Sequence, residues 1–245
     1  MAMLVDNPAA RLHAILQAGK AQNVNRPAHD VWYEILRVEV GDHALLTARL
    51  ADVMALPREI AVDMSEHYPD EGQMVAHWRG QVDRAFVTLH LAAPWNAFIS
   101  QIDGHSMMHR SSTAKLLQHV TKLKPVNNTD LEDIRTKVND LIIEVRNSDL
   151  DEDLKLSVVR YLTEILCAVD EYFITGVNPI LDGINTAYGR AFTDTKYREL
   201  ITGKTTLGQK LRAVLDDAAT VTTIAANLHE IAPVLEAGWR MLSGG

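Results

Sequence analysis

His105 and His109 stand four residues apart and so share one helix face, the spacing by which two imidazoles reach a single metal ion. A helical zinc enzyme of the H-E-x-x-H kind carries a glutamate directly after the first histidine, as general base; here that position is Ser106. His119 lies further along, so a third ligand has to come from elsewhere in the chain. The ordinary reading of the pair is exposed or capping histidines, and no metal or other cofactor is expected. Gly104-His105-Ser106-Met107-Met108 overlaps the pair and has the look of a serine freed on a sharp turn to attack a carbonyl. That arrangement needs a small residue where Met108 stands and a buried strand leading in, and the sequence offers neither. A helix ending at Gly104 and another starting with Ser106 as its N-cap is the expectation. Gly203-Lys204-Thr205-Thr206 ends like a phosphate-binding loop, but Arg198 occupies the place of that loop's first glycine. It reads as a turn between helices with threonine caps. Cys167, the only cysteine, lies among Ile165, Leu166 and Val169 and is expected to be buried and inert.

Arg84-Ala85-Phe86-Val87-Thr88-Leu89-His90 resembles the loose R-x(4–6)-H signature of the HEPN ribonucleases, which are all-helical. The resemblance implies a dimer in which His90 moves a proton and Arg84 stabilises phosphate charge. Ala85 stands where that family usually has a polar residue, and Val82, Phe86 and Leu89 give the segment the pattern of a core helix. A surface arginine and a boundary histidine are the competing reading.

The elements that must hold these residues are helical. Leu131, Ile134, Val138, Leu141, Ile142 and Val145 recur at spacings of three and four, which predicts a helix of about 18 residues opened by Thr129 and Glu132 as a capping box. Leu154, Val158, Leu162, Ile165, Val169 and Tyr172 predict a second helix, antiparallel to the first. Its start is Asp149-Leu150-Asp151-Glu152-Asp153, which lacks the glycine and terminal glutamate of a calcium loop but suits the positive end of a helix. A third helix starts near Asn178-Pro179, and a last region runs from Thr206 to Ile231. Residues 1–125 are cut by Pro8, Pro27, Pro57, Pro69 and Pro94 into shorter pieces, near 8–20, 28–37, 43–54, 58–67, 73–92, 94–102 and 106–123. Leu36-Arg37-Val38-Glu39-Val40 alternates like a strand, but it has no partner and reads as a helix end or loop. The fold class is therefore all-α, a multi-helix bundle.

Charge divides the chain. Residues 1–125 carry 12 basic and 13 acidic residues with nine of the ten histidines, whereas residues 126–245 carry 12 basic and 19 acidic. The turn-like Lys124-Pro125-Val126-Asn127-Asn128 marks the boundary between two regions, 1–125 and 126–245, unless they form one continuous domain. A net charge of −8 argues against a chain built mainly to hold DNA, whose affinity rests on many Lys and Arg contacts to phosphate. One cysteine excludes an intrachain disulfide framework. The first residues lack the look of a secretory signal, no segment reaches the roughly 18 apolar residues of a membrane span, and a cytoplasmic location is expected. Ala218 to Leu228 carries no charged residue, which suits internal packing, self-association or, as an alternative, a membrane-acting helix.

Residues 129–192, with the Ser148-Asp149-Leu150-Asp151-Glu152-Asp153 connection, resemble a group of uncharacterised bacterial and phage-associated all-helical proteins. The resemblance implies a bacterial or phage origin and a part in the conflict between the two; it carries no catalytic residues. Strong amphipathic helices beside incomplete chemical motifs favour a non-enzymatic protein that works through protein–protein contact, with itself as a homodimer and with a basic partner. Asp149, Asp151, Glu152 and Asp153 are the expected partner-binding residues, since their charge would speed encounter with such a surface. RNA enters only with the Arg84/His90 alternative.

Overall fold

A computed structural model describes residues 6–121 and 124–226. It is all-α among these residues, and the chain divides into two compact units, Met1–Leu123 and Lys124–Gly245. No described helix is long and apolar enough to cross a membrane. The far end of the uncharged tail, residues 227 and 228, and the continuation to Ile231 lie outside the described residues.

Unit 1 contains α1 (Pro8–Lys20), α2 (Ala28–Ile35), α3 (His43–His67), a 3-10 turn (Pro69–Glu71), α4 (Gly72–Val87), the single turn α5 (Asn96–Ile99) and α6 (Gly104–Thr121). Asn7 starts α1: its Oδ1 accepts from the Ala10 N–H at 2.9 Å, while its Nδ2 donates to the Ala114 carbonyl on α6 at 2.9 Å. The core is aromatic. Trp32, Trp78 and Trp95 are fully buried, Trp32 meets Trp95 edge-on at 5.2 Å, and Trp95 stacks on Phe98 at 4.9 Å. Such pairs add about 0.5–1.5 kcal/mol each beyond the area they bury. The Trp95 indole N–H donates to the Gly19 carbonyl at 2.8 Å, and a Cβ at Gly19 would lie 2.8 Å from the ring, so α1 can pass there only without a side chain.

Proline divides this unit less than its positions suggest. Pro57 was expected to separate two helices, yet α3 is continuous through it. Its missing N–H costs one bond, but Val53, Leu56, Ile60 and Met64 lie buried on both sides of it and hold the two halves in one line. Two other expectations are corrected. The helix predicted to reach residue 92 ends at Val87, and the one predicted over 94–102 is the single turn α5. Leu36–Val40 is the exit from α2: Leu36 and Val38 point inward, Arg37 takes a left-handed φ of 55°, and Arg49 donates to the Leu36 and Arg37 carbonyls at 2.8 and 3.0 Å. Its alternation is real, but the described backbone there pairs with no strand.

Unit 2 contains α7 (Asn128–Arg146), α8 (Glu152–Asp170), the single turn α9 (Tyr172–Thr175), α10 (Asn178–Thr193), α11 (Thr195–Thr202) and α12 (Thr206–Ala226). Helices α7 and α8 run antiparallel, with Arg135 near the start of one paired to Asp170 at the end of the other at 3.1 Å. The capping box is corrected: Asn127, not Thr129, caps α7, its Oδ1 accepting from the Asp130 N–H at 2.8 Å. Helices α8 and α12 pack on α10, and α12 also packs on α7. The segment α11 had no counterpart in the sequence reading; it buries Tyr197 against Tyr161 with ring centroids 5.9 Å apart. Gly203-Lys204-Thr205-Thr206 is the turn from α11 to α12, and Thr205 Oγ1 accepts from the Gly208 N–H at 3.2 Å. A Cβ on Gly208 would stand 2.0 Å from the Leu200 carbonyl oxygen, so the start of α12 rides directly on the α11 backbone.

Gly208→Ala is therefore expected to cost about 3 kcal/mol or more, because backbone rather than a side-chain tip must yield, and Gly19→Ala about 1–3 kcal/mol. Urea unfolding followed by circular dichroism checks both; a wild-type midpoint for Gly208→Ala would disprove the close approach. Arg110 is fully buried on α6, its Nε and Nη1 find no hydrogen-bond partner among the described residues, and burial brings its pKa down to about 10, so it remains charged at neutral pH. Arg110→Met should leave stability unchanged or raise it by about 1–3 kcal/mol in the same assay, since burying an uncompensated charge is costly.

Candidate functional site

Helix α8 divides its surface between two tasks. Leu154, Val158, Leu162, Ile165 and Val169 face the core, and the next stripe, at Arg160, Glu164, Cys167 and Glu171, is turned away from it. Helix α10 does the same, burying Ile180, Ile184, Ala187 and Ala191 and presenting Pro179, Asp182, Gly183 and Thr186. Between the two outer stripes lies a groove of about 620 Å³. The small side chains of Cys167 and Ala168 and the bare Gly183 leave room along it, and its described lining holds three carboxylates, Glu164, Glu171 and Asp182, and one guanidinium, Arg160. Arg160 is engaged locally: its Nη2 donates to Tyr161 Oη at 3.0 Å, its guanidinium lies 5.0 Å from the Tyr161 ring centre, and Nε is 3.7 Å from Glu164 Oε1. The groove is thus acidic. Cys167 is exposed along it, which corrects the expectation of a buried thiol; the helical period places it one step outside the packed stripe.

The predicted partner-binding run sits apart, at the start of α8. Asp149, Asp151, Glu152 and Asp153 are all exposed, as a charged helix start requires. Asp151 caps α8 and lies 3.3 Å from Lys196, whose hydrogen bond holds its carboxyl below the usual range, and Glu152 accepts from Lys155 at 2.8 Å. Half of that run already has a cation of its own.

In unit 1 the structure brings together what the sequence left as a pair. Helix α6 starts at Gly104, not Ser106: Asp103 Oδ1 accepts from the Ser106 N–H at 2.7 Å, and Ser106 is buried, its hydroxyl donating to Gln81 Oε1 at 2.8 Å. Gln81 Oε1 also accepts from the Asp103 N–H at 3.0 Å, and its Nε2 donates to Asp103 Oδ2 at 2.7 Å. This hydrogen bond from Gln81 is the chief reason the Asp103 carboxyl is held down at about 2. Gln81 therefore fixes α4 against the start of α6. One turn earlier on α4, His77 faces the pair, with ring centroids 5.6 Å from His105 and 5.9 Å from His109. His105 and His109 themselves stand with Nε2 atoms 2.8 Å apart. Spacing along the chain does not mark His77, because its partners are in another helix, about 30 residues away. As placed, no group of three His, Cys, Asp or Glu side chains among the described residues is arranged to hold a metal ion.

Arg84 and His90 are both exposed but do not share a helix. Arg84 is in the last turn of α4 and His90 in the loop beyond it, its carbonyl accepting from the Ala93 N–H at 2.9 Å. Comparison with known proteins finds no family model, no curated protein and no solved structure that matches the chain.

Burial, then the charge of Arg110, holds His13 below its ordinary value of 6.5; burial, then His105 and His77, does the same for His109. Both remain neutral in the folded chain where the unfolded chain takes up protons. Stability should therefore rise with pH in the window just below 6.5, and be lost as pH falls toward the depressed folded values. Urea unfolding at pH 7.5 and 5.5 should show a smaller acid loss in His13→Asn/His109→Asn than in wild type; equal losses would contradict this assignment.

Proposed function

We propose that the chain is a non-enzymatic helical protein that acts through protein–protein contact, and that its second unit takes a basic segment of the partner along the groove between α8 and α10. The observation that carries this reading is the groove itself, in which Glu164, Glu171 and Asp182 face the single guanidinium of Arg160. A lysine- or arginine-rich strand or helix laid there meets a field of the right sign along its length, with small residues beneath it to admit the side-chain stems. The acidic start of α8 serves the same partner in a different way. Asp149 and Asp153 lie on the same helix start and add to the attraction that guides encounter, as exposed charges do. The part in bacterial and phage conflict implied by the resemblance of residues 129–192, and the cytoplasmic location, belong to this proposal.

A fluorescently labelled nona-arginine peptide is a sufficient probe. Anisotropy titrations should show binding that weakens with salt, as contacts between exposed charges do. Glu164→Gln/Asp182→Asn should weaken it about threefold to tenfold, from about 0.3–0.7 kcal/mol per lost contact. Asp149→Asn/Asp153→Asn should mainly slow association, because charges away from the contact act on encounter. Equal affinity of wild type and Glu164→Gln/Asp182→Asn would remove the groove as the binding site.

A further inference from the structure

We infer that His105 and His109 on α6 form a chelating site for a borderline divalent transition-metal ion, zinc, nickel or copper, with His77 of α4 as the third imidazole. Two imidazoles bound to one ion at about 2.0–2.1 Å have their ligating nitrogens about 2.9 Å apart at a right angle and about 3.3 Å apart at a tetrahedral one. The Nε2 atoms of His105 and His109 stand at 2.8 Å, so the pair closes on an ion with an adjustment of a few tenths of an ångström. In that contact one Nε2 donates and the other accepts, according to tautomer; when an ion binds, the proton between them moves to Nδ1 of its own ring, and both Nε2 lone pairs face the ion.

His77 is the reason this site is more than two histidines on a helix. Its ring stands within 6 Å of both partners, centroid to centroid, and is exposed; the proposed site requires this side chain to turn onto the ion from that position. The backbone around it is pinned by Gln81, one turn further along α4, which bonds to Asp103 and Ser106 at the start of α6. Second-shell ties of this kind hold ligand-bearing helices in register. Imidazole ligands select ions of the zinc, nickel and copper class over magnesium and calcium, which prefer oxygen. Asp103 and Glu71 supply nearby negative charge that favours a cation.

The test is isothermal titration of untagged, EDTA-stripped protein with zinc chloride at pH 7.4. Wild type should bind one equivalent. His105→Asn and His109→Asn should each weaken binding by about tenfold or more, since the chelate is lost, and His77→Asn by a smaller but measurable factor. His29→Asn and His90→Asn, exposed histidines elsewhere in the same unit, should bind like wild type. Circular dichroism verifies that each variant is folded, which is expected because His77 and His105 are exposed and His109 is only half-buried. Absence of zinc binding in wild type, or undiminished binding in His105→Asn and His109→Asn, overturns the site; undiminished binding in His77→Asn overturns the assignment of the third ligand.

Discussion

The edge of the Trp95 indole against the bare backbone of Gly19 is the contact on which the first unit is hung. It fixes the end of α1, and the chain on either side of Trp95 is tied to the same place. The Trp95 N–H donates to the Arg26 carbonyl at 2.7 Å and the Ala28 N–H to the Ala93 carbonyl at 2.8 Å, so the approach to α5 is laced to the approach to α2. Lys20, one residue beyond Gly19, donates to the Ile99 carbonyl at 3.0 Å and also to that of Ile102. Lys20 thus binds the C-terminal side of α5 and the loop just beyond it, where the Ile99 carbonyl also accepts from the Ile102 N–H at 3.3 Å. With α5 fixed, Asp103 reaches Gln81, α6 starts where it does, and His105 and His109 come to rest beside His77. A methyl group at Gly19 acts at the first step of this sequence, far from the histidines it finally positions.

The second unit rests on a comparable approach, the start of α12 over the Leu200 carbonyl, but uses it to close a bundle. The Val126 N–H donates to Tyr172 Oη at 2.8 Å and the Lys124 N–H to the Ala225 carbonyl at 2.8 Å, so the entry segment of the unit is held by the start of α9 and the end of the described part of α12. Helix α8 is consequently packed on its inner side by α7 and α10. The outer stripe of α8 is what remains, and the small residues on it and on α10 turn an ordinary helix junction into a groove.

How much of this is legible in the sequence follows from the range of the interactions involved. Helix faces such as Ile134, Val138, Leu141 and Val145 are set by periodicity within one element, and the amphipathic pattern locates them. Caps are set by a few atoms, and two nearby polar residues are equivalent to a pattern: Asn127 and Thr129 both suit the start of α7, and tertiary geometry selects the first. Pro57 and Cys167 illustrate a different limit. The cost of a proline depends on how firmly the residues around it are buried, and the exposure of a cysteine depends on one step of helical phase. The histidine site required a contact between two helices, for which His105 and His109 gave half the signal and His77 none. The groove has no motif at all; its only trace is the run of small residues flanking two apolar stripes.

The cations of the second unit show why its surplus of acid gathers where it does. Lys137 bonds to Asp217 at 2.7 Å and to Asp133 at 2.8 Å, Lys210 to Glu144 at 2.7 Å, Arg190 to Asp194 at 3.0 Å, and Lys196 to Asp151 at 3.3 Å. Each of these is an exposed or half-exposed pair, worth about 0–1 kcal/mol, so together they do little to decide whether the unit folds. Their larger effect is on the distribution of charge. By holding basic side chains between α7 and α12 and at the ends of α10 and α8, they keep those chains from the stretch where Glu164, Glu171 and Asp182 stand. Among the described residues that line the groove Arg160 is the one base, and its guanidinium lies over the Tyr161 ring. With these bases engaged elsewhere, the surplus acid of the second unit includes the groove, and that is the field a basic partner of the kind proposed would meet.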